Sequence, residues 1–401
     1  MNILVVCQYY YPEPFRVSDI CEELVRRGNS VTVVTGIPNY PMGEIYDGYR
    51  HGEKRDEVIN GVRVHRCFTI GRRHGAVYRF LNYCSYAFSS ARYISKLNGD
   101  YDAVFVNQLS PVMMANAGIK YKKKHRKKLI LYCLDLWPES LVSGGIKRGS
   151  PIYGLFHKIS ERIYKSADRI FITSKSFSDY FKEEFGIENT EYLPQYAEAL
   201  FTPEQCEKHP DETIDLMFAG NVGAAQSVKT IVEAANLTRD IETLRWHIVG
   251  DGSEFDNVKK LSESYKLTSV IFHGRQPIEK MPEYYAMADA MLVTMQKDPV
   301  LSMTLPGKVQ TYMAAGKPIV GAVDGETQKL VCDAGCGVCG AAENAQELAQ
   351  LCREISSNPE LLQQWSRNTY SYYCEFFSKN RFMDALIKAL TDAAIPEGEE
   401  R

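Results

Sequence analysis

The sequence predicts two facing α/β domains, each a parallel sheet with crossover helices. Three observations lead to this prediction. The chain has 401 residues, which suits two domains of roughly 150 to 200 residues each. Short β-rich runs alternate with helical patterns in two successive series. An aromatic helical stretch with no strand after it ends the chain.

The first series of strand-like runs is ILVVC, SVTVVT, VRVHRC, AVFVNQ, KLILYCL and RIFITS. The pattern between the first two runs predicts a helix over 17–27 with one apolar face, which Gly28 ends. Parallel strands need such crossovers, so the alternation favours a parallel sheet.

The second series is IDLMFAG, RWHIVGDG, SVIFHG, AMLVTM and PIVGAV. The polar stretch before it places a linker near 195–212. We therefore predict a first domain over 1–198, which would bind the acceptor, and a second over 199–367, which would bind the donor. A C-terminal helix over 368–393 is predicted to cross back to the first domain.

Composition excludes several classes of protein. The first residues lack a basic leader, and no window approaches the roughly 18 to 20 apolar residues of a membrane span, so we expect a cytoplasmic protein. Eleven scattered cysteines suit a reducing compartment. Cys332, Cys336 and Cys339 lie close together, but no second ligand pair follows at zinc-site spacing, so no metal site is predicted.

Charge is distributed unevenly along the chain. Residues 1–195 carry 28 Lys and Arg against 20 Asp and Glu, and residues 196–401 carry 19 against 30. Two segments of the basic half indicate contact with an anionic membrane: RRHGAVYRFLNYCSYAFSSARYISK and KYKKKHRKK. An ordinary buried helix and a solvated helix end are the alternatives. No nucleic-acid motif accompanies the basic run, so no nucleic-acid partner is expected.

Glycine-containing loops follow three strands of the second series. They are Gly220-Asn221-Val222-Gly223, Gly250-Asp251-Gly252 and Gly274-Arg275. In open α/β sheets ligands bind beyond the carboxyl ends of the strands, where helix N-termini receive phosphate oxygens. Lys308, at a predicted helix start after Pro306 and Gly307, could add an ammonium group for a diphosphate. Each glycine alone could simply make a tight turn.

The motifs GNVGAAQS, IVGDG, FHGRQP, YYAMADAMLV and PGKVQTYMAAGKP occur in this order. They resemble the donor domain of family 4 glycosyltransferases with the two-Rossmann-domain (GT-B) architecture. The segments YYYPEPFRVSDICEELVRRGNSVTVVTGIPNYP and LDLWPES resemble the subgroup that builds bacterial O-antigen and capsule, including transferases of N-acetylfucosamine. The resemblance spans nearly the whole chain.

The resemblance implies a metal-independent, retaining transferase with a UDP-sugar as co-substrate and no other cofactor. The sugar would be an N-acetylated hexosamine or deoxyhexosamine. Its acceptor would be a sugar on a polyprenyl diphosphate, and the protein would lie peripherally on the inner face of the cell membrane.

The resemblance also implies roles for residues of the second domain. Lys308, helped by Gly307, would hold the diphosphate, and Arg275 and Gln276 would lie along the base. Gln310 or Thr311 would meet the ribose. The donor phosphates would be lined by Gly220, Asn221 and Gly223, with Gln226 where a related branch has a basic residue. The family's paired glutamates are absent, because Met303 and Thr311 occupy their positions.

In the first domain, Asp135 and Glu139 are four residues apart at a strand end, where a carboxylate could orient or deprotonate an acceptor hydroxyl. Asp135 could instead cap a helix that has Pro138 near its start. Arg16, after the first strand, could contact the leaving diphosphate or an acceptor phosphate, or could be a solvated or capping residue. Leu134 fills the position where relatives often have a histidine.

Two further functions share these features. A UDP-sugar 2-epimerase of the same fold would need no acceptor and no membrane contact. A non-catalytic donor-binding subunit of a glycan-assembly complex would fit the missing glutamate pair.

Overall fold

The structure is a computed structural model that describes residues 1–73, 75–142, 145–208 and 211–395. The chain divides into two compact units. Unit 1 contains Met1–Thr173, Phe177–Leu193 and the chain from Met383 onward, and unit 2 contains Ser174–Ser176 and Pro194–Phe382. The main division therefore falls at Leu193 and Pro194, a few residues before the expected 198/199 boundary.

Unit 1 is built on a sheet with the strand order β3-β4-β2-β1-β5-β6-β7-β8. Every pairing in it is parallel except that of β3 with β4. The strands are β1 (Asn2–Val6), β2 (Ser30–Gly36), β3 (Asp56–Ile59), β4 (Val62–Cys67), β5 (Ala103–Gln108), β6 (Lys128–Cys133), β7 (Arg169–Ile172) and β8 (Thr190–Tyr192).

Helices connect the parallel strands of this sheet as crossovers. They are α1 (Val17–Arg26), α2 (Ala76–Lys96), α3 (Asn116–His125), α4 (Glu139–Val142), α5 (Pro151–Tyr164) and α6 (Ser176–Phe185). The helix predicted over 17–27 is α1, and its buried face includes Ile20, Cys21 and Leu24. Gly28 follows it with a φ of 84°, a left-handed conformation that suits glycine.

Unit 2 is built on a sheet with the order β11-β10-β9-β12-β13-β14, and all its pairings are parallel. The strands are β9 (Ile214–Ala219), β10 (Leu244–Val249), β11 (Val270–Gly274), β12 (Ala290–Thr294), β13 (Ile319–Ala322) and β14 (Gly337–Gly340). The helices are α7 (Lys229–Leu237), α8 (Phe255–Ser264), α9 (Met281–Met287), α10 (Pro299–Ser302), α11 (Gly307–Ala314), α12 (Glu326–Asp333), α13 (Ala345–Ser357) and α14 (Glu360–Phe376).

The C-terminal stretch differs from the single helix expected over 368–393. It forms the end of α14 and a separate helix, α15 (Lys379–Ala394). From Met383 onward this last helix belongs to unit 1, where Arg27 pairs with Asp384 at 2.5 Å and Arg169 with Asp392 at 3.3 Å.

Candidate functional site

The glycine loops of unit 2 lie at the carboxyl ends of three neighbouring strands, β9, β10 and β11. Backbone hydrogen bonds join the loops directly. The Gly220 amide donates to the Val249 carbonyl at 2.9 Å, and the Gly250 amide donates to the Gly274 carbonyl at 2.8 Å. The loops predicted to form one ligand face are therefore adjacent in space.

Glycine is required where two of these loops meet. Gly220 and Gly250 both have a φ of 139°. A Cβ atom added to Gly250 would lie 1.8 Å from the carbonyl oxygen of Gly220. Any side chain at this position would therefore overlap that oxygen. The two glycines allow the loops to approach each other this closely. Gly220 itself is exposed, so a ligand can reach its backbone.

The ammonium group of Lys308 lies beside the same loop. Lys308 is the second residue of α11, and its Nζ would be 3.1 Å from a Cβ atom on Gly220. It lies 3.9 Å from the centre of the Phe218 ring. Nζ is buried, and within the part of the chain that the structure describes it has no hydrogen-bond acceptor. A buried ammonium group without an acceptor indicates that an anionic ligand belongs here.

Burial lowers the pKa of Lys308 from its usual value near 10.5 to about 7. The cause is that burial removes water from around the charged ammonium group. The cation–π contact with the Phe218 ring compensates for only part of this lost hydration. The start of α11 adds amide groups and the positive end of a helix dipole. Together these groups have the charge and hydrogen-bond donors that a phosphate or diphosphate requires, and we call them the donor cradle.

The other residues predicted around the donor divide into two sets. Asn221 and Gln226 pair across Gly223, with Asn221 Nδ2 donating to Gln226 Oε1 at 3.1 Å. The Asp251 carboxylate accepts the Gly252 amide at 2.7 Å, and the Asp251 carbonyl accepts the Val222 amide at 3.0 Å. These residues all belong to the loops beside Lys308.

The second set contains the residues predicted to contact the nucleotide base and the ribose. Arg275 is exposed after β11, whereas Gln276 turns back to donate to the His273 carbonyl at 2.7 Å. Thr311 donates its hydroxyl to the Gly307 carbonyl at 3.2 Å, and Gln310 is buried. The Gln310 amide nitrogen is best placed toward the Pro306 carbonyl, 3.0 Å away. Both groups predicted to meet the ribose are thus engaged within their own helix.

In unit 1, Asp135 follows β6 at the carboxyl edge of the sheet. Its carboxylate accepts hydrogen bonds from the amide and the hydroxyl of Ser110, both at 2.9 Å. Burial raises the pKa of the Asp135 carboxyl, and the bonds from Ser110 and the charge of Arg72 offset part of this rise. A carboxylate with a raised pKa at a strand end suits a general base.

Glu139 has different surroundings from Asp135. Its side chain is fully buried, and it pairs with Arg148 at 2.7 Å. The hydroxyl groups of Tyr153 and Tyr180 donate to the same carboxylate at 2.7 and 3.3 Å. These contacts hold α4, α5 and α6 together, so we leave Glu139 out of the proposed chemistry.

Arg16 occupies the position before α1, at the same edge of the sheet, and does not cap that helix through its side chain. Its guanidinium lies close enough to Tyr132 for its charge to offset part of the burial that raises the pKa of that phenol. Arg16 therefore contributes positive charge near the end of β6.

The sequence did not reveal that Asp135 lines a cavity in unit 1. This cavity has a volume of 760 Å³ and is mostly apolar. A second missed residue, Glu13, accepts the amides of Asn39 and Tyr40 at 2.8 and 2.7 Å, and burial raises its pKa to about 7. Glu13 thereby fixes the loop that brings Tyr40 to the cavity. Neither feature has a local signal, because both depend on loops that are distant in sequence.

The two segments predicted to contact a membrane meet at one end. The first forms α2, and the basic run ends α3 just before β6. Lys124 of the basic run donates to backbone carbonyls at the end of α2 at 3.0 Å. Lys122 of the basic run pairs with Asp168 at 2.7 Å, and Lys127 pairs with Asp100 at 3.1 Å. This leaves α2 as the better candidate, although His74 of that segment lies outside the described residues.

Two features are absent from the described ranges. No helix there combines the length and apolar character needed to cross a bilayer. No three His, Cys, Asp or Glu side chains there lie close enough together to hold a metal ion.

Two family models match the chain. The model for glycosyl transferases group 1 matches residues 203–372, and the model for the glycosyl transferase 4-like domain matches residues 15–194. The two matches leave only residues 195–202 between them. The chain belongs to the GT-B, family-4-like glycosyltransferases. The predicted family and fold class are thus confirmed.

Two bacterial proteins are among the curated relatives of this glycosyltransferase. It is 24% identical over 387 residues to the putative colanic acid biosynthesis glycosyl transferase WcaI of Escherichia coli, across 90% of this chain and 93% of that protein. It is 28% identical over 240 residues to the probable glycosyltransferase WbjE of Pseudomonas aeruginosa. That match spans 57% of this chain and 60% of WbjE, less than two thirds of either.

Solved structures resemble the glycosyltransferase over nearly its whole length. Sucrose-phosphate synthase from Thermosynechococcus elongatus has a TM-score of 0.74 at 16% identity, with 98% of each chain covered. Anabaena HepE, in complex with UDP, has a TM-score of 0.71 at 14% identity, with 98% of this chain and all of the other covered. At such low identities the likeness shows the fold.

Proposed function

We propose that this glycosyltransferase moves a sugar from a UDP-sugar to a lipid-linked glycan during capsule or O-antigen synthesis. The sugar proposed is an N-acetylated hexosamine or deoxyhexosamine, as in the subgroup whose motifs the chain resembles. The observation that carries the proposal is the buried Lys308 ammonium beside the Gly220 loop. HepE, which has the same fold, was solved with UDP and with UDP-glucose.

On the donor side, departure of UDP builds up negative charge on its diphosphate. In the proposed mechanism the Lys308 ammonium and the amide groups at the start of α11 neutralise this charge. Gly220 and Gly250 allow the phosphates to approach the backbone closely. Transfer is proposed to need no metal ion and to retain the anomeric configuration, with the acceptor attacking from the face that UDP leaves.

On the acceptor side, Asp135 is proposed to orient the attacking hydroxyl and to accept its proton. Ser110 holds the carboxylate in place through two hydrogen bonds. Arg16 adds positive charge at the same edge of the sheet. We place the protein peripherally on the cytoplasmic face of the inner membrane, because the first turns of α2 carry exposed apolar side chains together with arginine.

A thermal-shift titration with UDP, GDP and TDP sugars tests the donor site. We expect UDP species to raise the melting temperature of the wild type and to have no effect on Lys308→Met. Lys317→Met is the matched control, because Lys317 is also buried but donates to the Ala288 carbonyl at 2.7 Å. Equal responses of Lys308→Met and the wild type would contradict the proposal.

The two alternative functions predict different outcomes of one incubation with a UDP-sugar. A 2-epimerase would convert the sugar without any acceptor. A donor-binding subunit would bind UDP tightly and give no product with a full panel of acceptors. The proposed transferase requires an acceptor for sugar transfer, and its product keeps the configuration of the donor.

A further inference from the structure

Three cavities of unit 1 follow one another at the carboxyl edge of its sheet. The first, of 760 Å³, contains Asp135, and the second, of 240 Å³, shares Tyr40, Arg72 and Arg79 with it. The third has a volume of 580 Å³ and shares Arg73 with the second. Because neighbouring cavities share lining residues, a chain-like ligand that begins beside Asp135 can continue through all three.

The second and third cavities together form what we call the arginine groove. Its cationic lining residues are Arg50, Arg55, Arg72, Arg73 and Arg79. Among the described residues that line the groove, Glu44 is the one acidic side chain. Guanidinium groups gathered around two joined cavities repel one another, and an anionic ligand would offset that repulsion. The charge of the groove therefore indicates an anion.

Four of these five guanidinium groups are available for such a ligand. Arg50 pairs with Asp47 at 3.3 Å. In the ranges that the structure describes, no carboxylate lies within 4.0 Å of the other four. Aromatic rings flank two of them: Arg72 lies 5.7 Å from the centre of the Tyr40 ring, and Arg73 lies 5.5 Å from that of Tyr78. Each free guanidinium can bind a carboxylate through two parallel hydrogen bonds.

The backbone that carries Arg72 and Arg73 is held by buried polar groups. Oδ1 of Asn39, a residue that is 1% exposed, accepts the Arg72 amide and the side-chain amide of Asn82, both at 3.1 Å. The Arg73 amide donates to the Gly43 carbonyl at 2.9 Å. These bonds join two loops and fix the arginines before any ligand arrives. Such preorganisation lowers the entropic cost of binding, so the groove has the properties of a built site.

We propose that the arginine groove binds an acidic glycan, with the carboxylates of successive sugar residues on its guanidinium groups. The inference rests on the proposed function, because Asp135 assigns the residue that accepts the new sugar to the first cavity. It deepens that function by giving the next sugars of the acceptor a negative charge.

The extent of the groove favours a carboxylated glycan over a single diphosphate. A diphosphate concentrates its charge at one point, whereas Arg79 lines the second cavity and Arg55 lines the third. Phe68 also lines the third cavity and is 57% exposed, so it offers an aromatic face to a sugar ring. Charge repeated along the groove, with aromatic rings between, matches a chain of acidic sugars.

Calorimetric titration of the full-length protein with acidic oligosaccharides tests the site. The probes are trigalacturonate, a hyaluronan tetrasaccharide, the methyl ester of trigalacturonate and inorganic diphosphate. We expect saturable binding of at least one of the two acids, and binding of trigalacturonate at least about tenfold tighter than that of its uncharged ester. Failure of both acids to bind, or equal binding of the ester, would overturn the proposal. Inorganic diphosphate that binds more tightly than either acid would make the groove a diphosphate site and would also overturn it.

Two pairs of variants provide matched controls. Arg73→Gln removes a charge that lines both cavities of the groove, whereas Arg92→Gln removes an exposed charge that lines neither. Arg55→Gln removes a charge from the third cavity, whereas Arg63→Gln removes an exposed charge outside it. We expect the dissociation constant for the acid to rise at least about tenfold in the first member of each pair, as for the loss of a charge-assisted hydrogen bond. Equal affinities within both pairs would contradict the inference.

A parallel measurement separates this inference from the proposed function. UDP-induced thermal stabilisation should persist in Arg73→Gln and Arg55→Gln, which also shows that both variants fold, and the acid should still bind to Lys308→Met. A wild type that responds to UDP but binds neither acid would refute the acidic-glycan site alone. A wild type that does not respond to UDP would refute the proposed donor, whatever the acids do.

Discussion

Lys308 connects stability with ligand binding at the scale of a single residue. Its ammonium group is buried without an acceptor among the described residues, so keeping it charged in the empty protein is unfavourable. A diphosphate beside it would supply the missing partner. The same residue should therefore weaken the empty protein and strengthen its complex with the donor.

The first prediction concerns pH. The pKa of Lys308 in the empty protein is about 7, and a bound diphosphate would raise it. Affinity for a UDP-sugar should therefore be greatest below pH 7 and fall as pH rises above 7. The diphosphate of a UDP-sugar is esterified, so it has no proton of its own that titrates there. Calorimetry at pH 8 in buffers of different ionisation enthalpy should show proton uptake on binding, and Lys308→Met should show none.

The second prediction concerns stability. Lys308→Met should raise the free energy of unfolding by roughly 1 to 4 kcal/mol, because an apolar side chain replaces an uncompensated buried charge. The gain should be full below pH 7 and shrink as pH rises from about 7 toward the unfolded pKa, since the neutral amine is less costly to bury. Lys317→Met should give no comparable gain, because the Ala288 carbonyl loses its donor. Urea denaturation at two pH values measures both effects.

The third prediction concerns Asp135. Asp135→Asn keeps the shape of the side chain but removes the base, so the rate of transfer should fall about 10²- to 10⁴-fold. Because burial raises the pKa of Asp135, the wild-type rate should increase as pH rises through that pKa. Affinity for the UDP-sugar should stay unchanged, since Asp135 belongs to unit 1 and the donor cradle to unit 2. An equal loss of donor affinity would contradict the assigned role.

At the scale of the element, long apolar strands could be predicted from the sequence, and short edge strands could not. Every run in the two predicted series corresponds to a strand of the structure. The unpredicted β3 and β8 have four and three residues, lie at the edges of the unit 1 sheet and carry polar side chains. Such strands form because a neighbouring strand offers hydrogen bonds, which a local pattern does not record.

The adjacency of the glycine loops could likewise be predicted from the sequence, but the surroundings of particular side chains could not. Glycine after successive strands predicted loops at one edge of the sheet, and Lys308 was predicted to add an ammonium group to them. Their role in donor binding stays a prediction. Glu139 was expected to face the acceptor and is instead buried against Arg148. The spacing of Asp135 and Glu139 does not reveal this pairing, because Arg148 lies on the loop between α4 and α5.

A fourth prediction tests the meeting of the loops. Gly250→Ala should destabilise the protein by about 2 kcal/mol or more, because the new Cβ would collide with the Gly220 carbonyl at an unfavourable φ. Gly307→Ala is the control, since a Cβ there meets nothing within 4 Å and alanine favours the first turn of α11. Chemical denaturation measures the difference. Equal stability of the two variants would show that the loops can separate freely.

At the scale of the whole molecule, unit 1 is completed by the last part of the chain. Met383, Leu386 and Leu390 of α15 have no exposed surface. The ion pairs of Asp384 with Arg27 and of Asp392 with Arg169 add contacts from the same helix to unit 1. Unit 1 is thus made of segments from both ends of the sequence, whereas unit 2 is almost entirely one continuous stretch.

This arrangement predicts that a change near the C-terminus weakens the N-terminal sheet. Leu386→Ala should reduce the free energy of unfolding of unit 1 by about 2 to 5 kcal/mol, the usual range for a buried leucine. Lys388→Ala, on the exposed side of the same helix, should change it by less than about 0.5 kcal/mol. Amide hydrogen exchange resolves the two units. In Leu386→Ala, the amides of β1 and β5 should exchange faster while those of β9 and β10 keep their protection. Equal loss of protection in both sheets would mean that α15 stabilises the molecule as one cooperative body, and loss confined to unit 2 would contradict the assignment of α15 to unit 1.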